Sequence, residues 1–249
     1  MCRIVGLWKP NNTQYVGETC VRMRDTLIHG GPDDSGLFTD HVAVMALGHC
    51  RLSIIDLTET GHQPMSTVDG RYTITFNGEI YNYQNLKREL AGQGVVFKGT
   101  SDTEVLLHGF ASKGPAFVEK CIGMFAFAVW DSREKSLYLF RDRVGVKPLY
   151  YYSHAGVFAF ASELKAIHAA LSDRLEIDTG ALGEFFHYGY ISAPRSIYRH
   201  TFKLEPGHWL KVSSDHSIEK HCYWSPPDPS RKLMEISEGA YIDRLEEIM

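Results

Sequence analysis

A cysteine stands second in this chain, directly behind the initiating methionine. Once an aminopeptidase removes Met1, Cys2 carries a thiol and a free α-amine on one residue, a nucleophile paired with a base. A free α-amine has a pKa near ~7.7–8.0 and a cysteine thiol near ~8.5, so both groups work close to neutral pH. Three further places carry groups that a reaction at a carbonyl carbon uses. Arg51 interrupts the apolar stretch 42–55. It reads either as the outward residue of an alternating strand or as a guanidinium held by a sheet to grip a carboxylate in a bidentate fork. Asn77-Gly78 follows the strand-like Tyr72 to Phe76. The pair reads either as a hairpin turn or as one side-chain amide and one bare backbone N–H converging on a developing oxyanion. Asp102 sits in Ser101-Asp102-Thr103-Glu104 ahead of apolar helical residues. It is either part of a helix cap or a carboxylate for an ammonium group.

The elements that must position these groups follow from periodicity. Residues 2 to 8 read as a buried strand ended by Pro10-Asn11-Asn12, and Tyr15, Val16, Cys20, Met23 and Leu27 lie at helical spacing. His29 to Gly36, with Gly30, Gly31 and Pro32 within its first five residues, predicts a tight loop. Residues 83–93 and the stretch after Thr100 predict helices, with a short one from Pro115 to Cys121. Four strand-like runs, 124–130, 136–140, 148–152 and 157–161, follow in close succession and predict an antiparallel meander. Arg141-Asp142-Arg143 between them reads as a solvated loop with a structural ion pair. Helices are expected over 163–171 and 180–187, and β-hairpin material over 200–224 around Glu205-Pro206-Gly207. Residues 225–230 have linker composition. Tyr241, Ile242, Leu245, Ile248 and Met249 form an apolar stripe that stops without a cap, so the helix is expected to belong to a longer protein or to dock on a partner.

Bulk composition narrows the class. The 249 residues are 44% hydrophobic and 22% charged, which is ordinary globular composition. Thirty acidic against twenty-six basic residues, with no basic cluster, argue against nucleic acid as a partner. No run of about 18 apolar residues offers a membrane span, and the N-terminus does not read as a signal peptide. Five widely spaced cysteines without a CxxC fit free thiols in a reducing compartment, so the expected location is cytoplasmic and no metal site is expected.

Taken in order, several motifs together resemble the class II glutamine amidotransferase domain at the front of glutamine-hydrolysing asparagine synthetases. They are Met1-Cys2; His29 to Gly36; Gly48 to Leu57 with Gly61-His62-Gln63-Pro64-Met65; Phe76 to Asn82; Ser101 to Glu104; Gly123 to Phe127; Arg141 to Tyr150; and Ser162 to Ala166. The resemblance spans residues 2–224, with 225–230 as linker and 231–249 as the start of a further synthetase domain. It implies an α+β fold, a four-layer αββα sandwich of the N-terminal-nucleophile hydrolase type with two stacked antiparallel sheets. It also implies roles. Cys2 is the nucleophile, Asn77 and the Gly78 N–H hold the oxyanion, Arg51 grips the α-carboxylate of L-glutamine, and Asp102 with Glu79 takes its ammonium group.

Two kinds of departure and one gap qualify the resemblance. Arg3 follows the cysteine where the family usually has a small residue. Gly30 stands where it typically has arginine, and Cys50 replaces another common arginine. These departures keep open a glutamine-binding or interaction module without turnover. No Ser-Gly-Gly-x-Asp-Ser loop and no Walker Gly-x-x-x-x-Gly-Lys occurs in the chain. ATP and Mg²⁺ are therefore expected only on a synthetase domain acting in cis or in trans, and no cofactor is expected on this chain. The acceptor, aspartate or another such as a sugar acid, would be set by that domain. A homodimer stays open.

Overall fold

Long apolar runs with little polar alternation call for strands buried on both faces, and two stacked sheets provide them. The computed structural model describes residues 1–9, 15–228 and 237–248. Strands β1 (Arg3–Trp8), β2 (Asp34–Asp40), β3 (Met45–Arg51), β8 (Tyr150–His154), β9 (Val157–Ala161) and β10 (Thr201–Lys203) form one antiparallel sheet in the order β10-β8-β9-β1-β3-β2. Strands β4 (Met65–Ser66), β5 (Tyr72–Ile80), β6 (Gly123–Asp131), β7 (Ser136–Arg141), β11 (His208–Val212) and β12 (Ile218–Cys222) form the other, in the order β12-β11-β7-β6-β5-β4.

Ile4, Trp8, Leu47, Ala126, Trp130, Leu139 and Phe160 fill the layer between the sheets. The rings of Trp8 and Trp130 meet edge to face at 5.0 Å. The alternate residues Val5 and Leu7 face outward, and helices α1 (Val16–Asp25) and α4 (Leu164–Leu171) cover them through Cys20, Met23 and Ile167. Helices α2 (Tyr83–Gly92) and α3 (Asp102–Lys113) cover the other sheet through Leu86, Leu90, Leu106 and Phe110. The result is the αββα sandwich that the family resemblance implied. Helices α5 (Thr179–Tyr188) and α6 (Glu238–Ile248) complete the described elements.

Four readings of the sequence are corrected. The expected loop 29–36 is shorter, because Asp34 already pairs with Arg51 as β2 begins. The four-strand meander is really two hairpins in different sheets, β6-β7 and β8-β9. The material around Glu205-Pro206-Gly207 is likewise a crossing between sheets, from β10 to β11, and the hairpin there is β11-β12. Arg141-Asp142-Arg143 is not a solvated loop with an ion pair. Asp142 is fully buried, and its carboxylate accepts from the backbone N–H groups of Phe125 (3.2 Å), Val144 (3.2 Å), Val146 (2.9 Å) and Lys147 (2.9 Å). The Arg141 guanidinium donates to the carbonyls of Gly145, Lys147 and Leu204. This charged knot shapes the passage from one sheet to the other. The turn Pro10-Asn11-Asn12, linker residues Pro229 and Ser230, residues 231–236 and Met249 lie outside the described residues.

Asp142→Ala would strand the buried N–H donors of Phe125 and Lys147, each costing about 1–3 kcal/mol. Urea denaturation is expected to show a loss of about 3 kcal/mol or more; a loss below about 1 kcal/mol would mean that the carboxylate does not hold the passage.

Candidate active site

Register puts Cys2 beside Arg51. β1 pairs with β3 with Arg3 opposite Cys50, so the residue before β1 comes to lie against the end of β3. Cys2 Sγ accepts from the Leu52 N–H at 3.3 Å and reaches the Leu52 carbonyl at 3.5 Å. Burial pushes the thiol's pKa up, opposed by the Leu52 hydrogen bond, the N-terminal ammonium and Arg51. With Met1 attached, Cys2 is therefore a protonated thiol whose own nitrogen is a peptide amide.

Arg51 is not the outward residue of an alternating strand. β3 is buried along its whole length, and Arg51 is its last residue. Its Nη1 donates to the Thr58 carbonyl at 3.0 Å and its Nη2 to the Asp56 carbonyl. Among the described residues no carboxylate lies within ion-pair distance of this guanidinium, which lines the cleft. The loop that orients it is tied by Asp56, whose carboxylate accepts from Thr58 N and Oγ1, Thr60 Oγ1 and Thr100 N. Burial raises the Asp56 pKa, but these bonds outweigh it and hold the carboxyl well below the usual range.

Asn77 and Gly78 come from the opposite sheet. They are not a hairpin turn. Both lie within β5, paired with Ala126 and Phe125 of β6. The glycine is set by crowding: a Cβ at Gly78 would sit 2.2 Å from the Met124 carbonyl oxygen. Asn77 is 1% exposed, and neither its Oδ1 nor its Nδ2 has a hydrogen-bond partner among the described residues. Such an orphaned amide costs stability and is rare in native interiors. Two bonds tie the sheets together nearby: Thr75 Oγ1 to the Gly48 carbonyl at 3.3 Å, and His49 Nε2 to the Phe76 carbonyl at 3.1 Å. Burial lowers the His49 pKa to about 4, so the ring is neutral at pH 7 and donates.

Asp102 opens α3. Ser101 is the cap, accepting from Glu104 N at 3.2 Å, while the Glu104 carboxylate accepts from Lys98 N and Gly99 N. That leaves Asp102 free of capping duty. It accepts from Ile80 N at 3.0 Å, and burial, with the charge of Glu79 adding, raises its pKa to about 6. Cys2, Arg51, Asn77, Gly78, Glu79 and Asp102 all line one cleft.

The profile described as "Glutamine amidotransferase domain" matches residues 1–224. The chain belongs to that family. This amidotransferase domain is 41% identical over 230 residues to glutamine-hydrolysing asparagine synthetase 3 of Bacillus subtilis, covering 90% of this chain and 37% of the relative. It is 37% identical over 247 residues to a putative glutamine-hydrolysing asparagine synthetase 2 of Methanocaldococcus jannaschii, covering 92% and 47%. The chain thus spans less than half the length of either relative. Its fold matches glutamine phosphoribosylpyrophosphate amidotransferase from B. subtilis, solved with ADP and GMP, with a TM-score of 0.65 at 19% identity over 90% of this chain and 49% of that one. No helix among the described residues is long and apolar enough to cross a membrane.

Two cleft residues escaped the sequence reading. Lys147 is 1% exposed, and its ammonium meets the Met1 sulfur. Burial lowers its pKa, against the pull of Glu79 and Asp142. Gln63 Oε1 accepts from Phe76 N at 2.7 Å and its Nε2 donates to Thr103 Oγ1 at 3.1 Å, bracing β5 against α3. Nothing local marks Lys147, whose burial depends on the Asp142 knot. Gln63 lay within a quoted motif but carried no chemical signal.

Folded Asp102 holds its proton up to about pH 6, whereas an unfolded aspartate releases it near 3.8. The stability this contributes is fully present below the unfolded value and is lost as pH rises through about 6. Asp102→Asn is therefore expected to gain stability relative to the parent between pH 4 and pH 8, on the order of 1–3 kcal/mol. Denaturant titrations at the two pH values measure this, and an equal difference at both would show that Asp102 is not strained by burial.

Proposed function

We propose that this domain, once Met1 is removed, hydrolyses L-glutamine to glutamate and ammonia through a thioester on Cys2. The observation that carries this reading is the bare Asn77 amide, buried in the same cleft as a thiol, an unpaired guanidinium and a strained carboxyl. An unpartnered donor beside a nucleophile suits an oxyanion, which forms only during reaction.

In this reading Arg51 takes the substrate α-carboxylate, and Asp102 and Glu79 take the α-ammonium. A free amino acid presents both charges and a peptide-bound amide presents neither, so the pair selects free glutamine. The Cys2 α-amine removes the thiol proton, and the sulfur attacks the side-chain amide carbon. Asn77 Nδ2 and the Gly78 N–H hold the oxygen as it becomes anionic. Collapse breaks the C–N bond, the protonated Cys2 α-amine gives its proton to the departing nitrogen, and ammonia leaves. Water then attacks the γ-glutamyl thioester, with the same amine as base, and releases glutamate and the thiol.

The full protein would be an asparagine synthetase in which the ammonia reaches an ATP- and Mg²⁺-dependent domain, in cis or in trans, that converts aspartate to asparagine. The two relatives matched along nearly all of this chain support that assignment.

Processed protein is expected to release glutamate and the Cys2→Ala variant none. Equal release by the two would end the proposal. Asn77→Ala should lower kcat by roughly 10²–10³, the usual loss for one oxyanion donor. Since binding needs ionised Asp102, the KM for glutamine should rise as pH falls below about 6. A KM that stays flat between pH 7 and pH 5 would take Asp102 out of the substrate site.

A further inference from the structure

Two of the sequence departures, Arg3 and Gly30, occupy one place in space. The Arg3 side chain lies across Gly30, so that a Cβ there would sit 2.7 Å from Arg3 Cγ and 2.8 Å from its Nε and Cζ. The side chain is not loose. Its Nε donates to Glu163 Oε1 at 2.6 Å, and its Nη1 donates to the carbonyls of Cys2 at 3.1 Å and Met1 at 3.0 Å. Glu163, just ahead of α4, also meets His29 Nε2 at 3.0 Å and Lys165 Nζ at 3.2 Å. One residue further along β1, Ile4 N donates to Ser162 Oγ, and Ser162 N donates to the Ile4 carbonyl. The start of β1, the loop before Gly31 and the entry to α4 are thus sewn together, and Arg3 is the stitch that reaches the backbone of Cys2.

We infer that Arg3 is a positioning residue for the Cys2 nucleophile, and that Gly30 is its complement: the space beside Cys2 accepts one guanidinium, delivered from position 3 or from position 30, never from both. Removal of Met1 takes away one of the two acceptors of Nη1 and leaves the Cys2 carbonyl, with Glu163 still accepting from Nε. The cation then stands next to the new α-amine. A neighbouring positive charge disfavours a protonated amine, so the same contact that fixes the Cys2 backbone helps keep its base free. Glycine at position 30 is therefore no sign of an impaired site.

The inference rests on the glutaminase reading for its kinetic arm only. A second arm reads the thiol directly, as the rate of Cys2 alkylation by iodoacetamide over roughly pH 6 to 9, followed by intact mass on Met1-processed protein. Arg3→Ser is expected to lower kcat about tenfold or more with KM within about twofold, as misplacement of a reacting group does. It should also shift the alkylation midpoint to higher pH. Gly30→Arg alone should be at least as damaging, because two side chains then contend for one space. The double variant Arg3→Ser/Gly30→Arg should recover to within about threefold of the parent, a coupling that independent sites do not show. Where Gly30→Arg does not fold, Gly30→Ala serves: it should impair the Arg3 protein and be neutral in the Arg3→Ser background. An Arg3→Ser protein with the parent's kcat and alkylation profile would overturn the inference. So would additive losses in both double variants. A parent that alkylates at Cys2 but releases no glutamate would sink the glutaminase reading alone, and the alkylation arm would still decide the role of Arg3.

Discussion

Everything in the cleft depends on the face-to-face packing of the two sheets. Cys2 and Arg51 belong to one sheet, Asn77, Gly78 and Glu79 to the other, and only the apolar layer between them brings the sets together. The layer is thick with aromatic rings at its centre. Close to the site it gives way to a few polar ties, Thr75 to Gly48 and His49 to Phe76. Those ties hold β3 and β5 in a fixed relation where a shift of an ångström would separate the Cys2 thiol from the Asn77 amide and the Gly78 N–H. A tightly packed interior transmits such shifts instead of absorbing them.

Three buried aspartates show how the fold divides its charges. Asp56 is surrounded by N–H and O–H donors and Asp142 by backbone N–H donors, and each fixes a loop: one aims Arg51, the other carries Lys147 into the cleft. Asp102 is equally buried, but there burial outweighs its hydrogen bonds and raises the pKa to about 6. The first two are settled by the protein itself. A buried carboxyl with a raised pKa in a cleft is the pattern expected where a group serves a ligand instead of the scaffold.

Five of the candidate residues were legible because each is tied to a local pattern: a cysteine directly behind Met1, an arginine in an apolar run, an Asn-Gly pair at a strand, an acid beside a helix cap; the sixth, Glu79, came only with the family resemblance. All six come together in one cleft. What the pattern left open at Arg51 and Asn77-Gly78 was decided by packing. β3 has no solvent face for an outward arginine, and Gly78 is demanded by the approach of Met124, not by a turn. The crossings between sheets at 142–149 and 204–207 were not legible. A strand that leaves for the other sheet has the same periodicity as one that turns back. Asp142 looked solvated because its three-residue neighbourhood is all charge, and nothing local reports the four N–H groups that fold around it.

The overlap of Arg3 with Gly30 bears on how chains of this kind diverge. Two positions that draw on one side chain's space can trade it only by way of a state in which both are small, since the state with both large is overpacked. The two sites lie 27 residues apart in sequence and on different elements, so a column-by-column comparison would count two departures where one guanidinium fills a single space. Conservation here would belong to a volume and its charge, and no individual position need carry it.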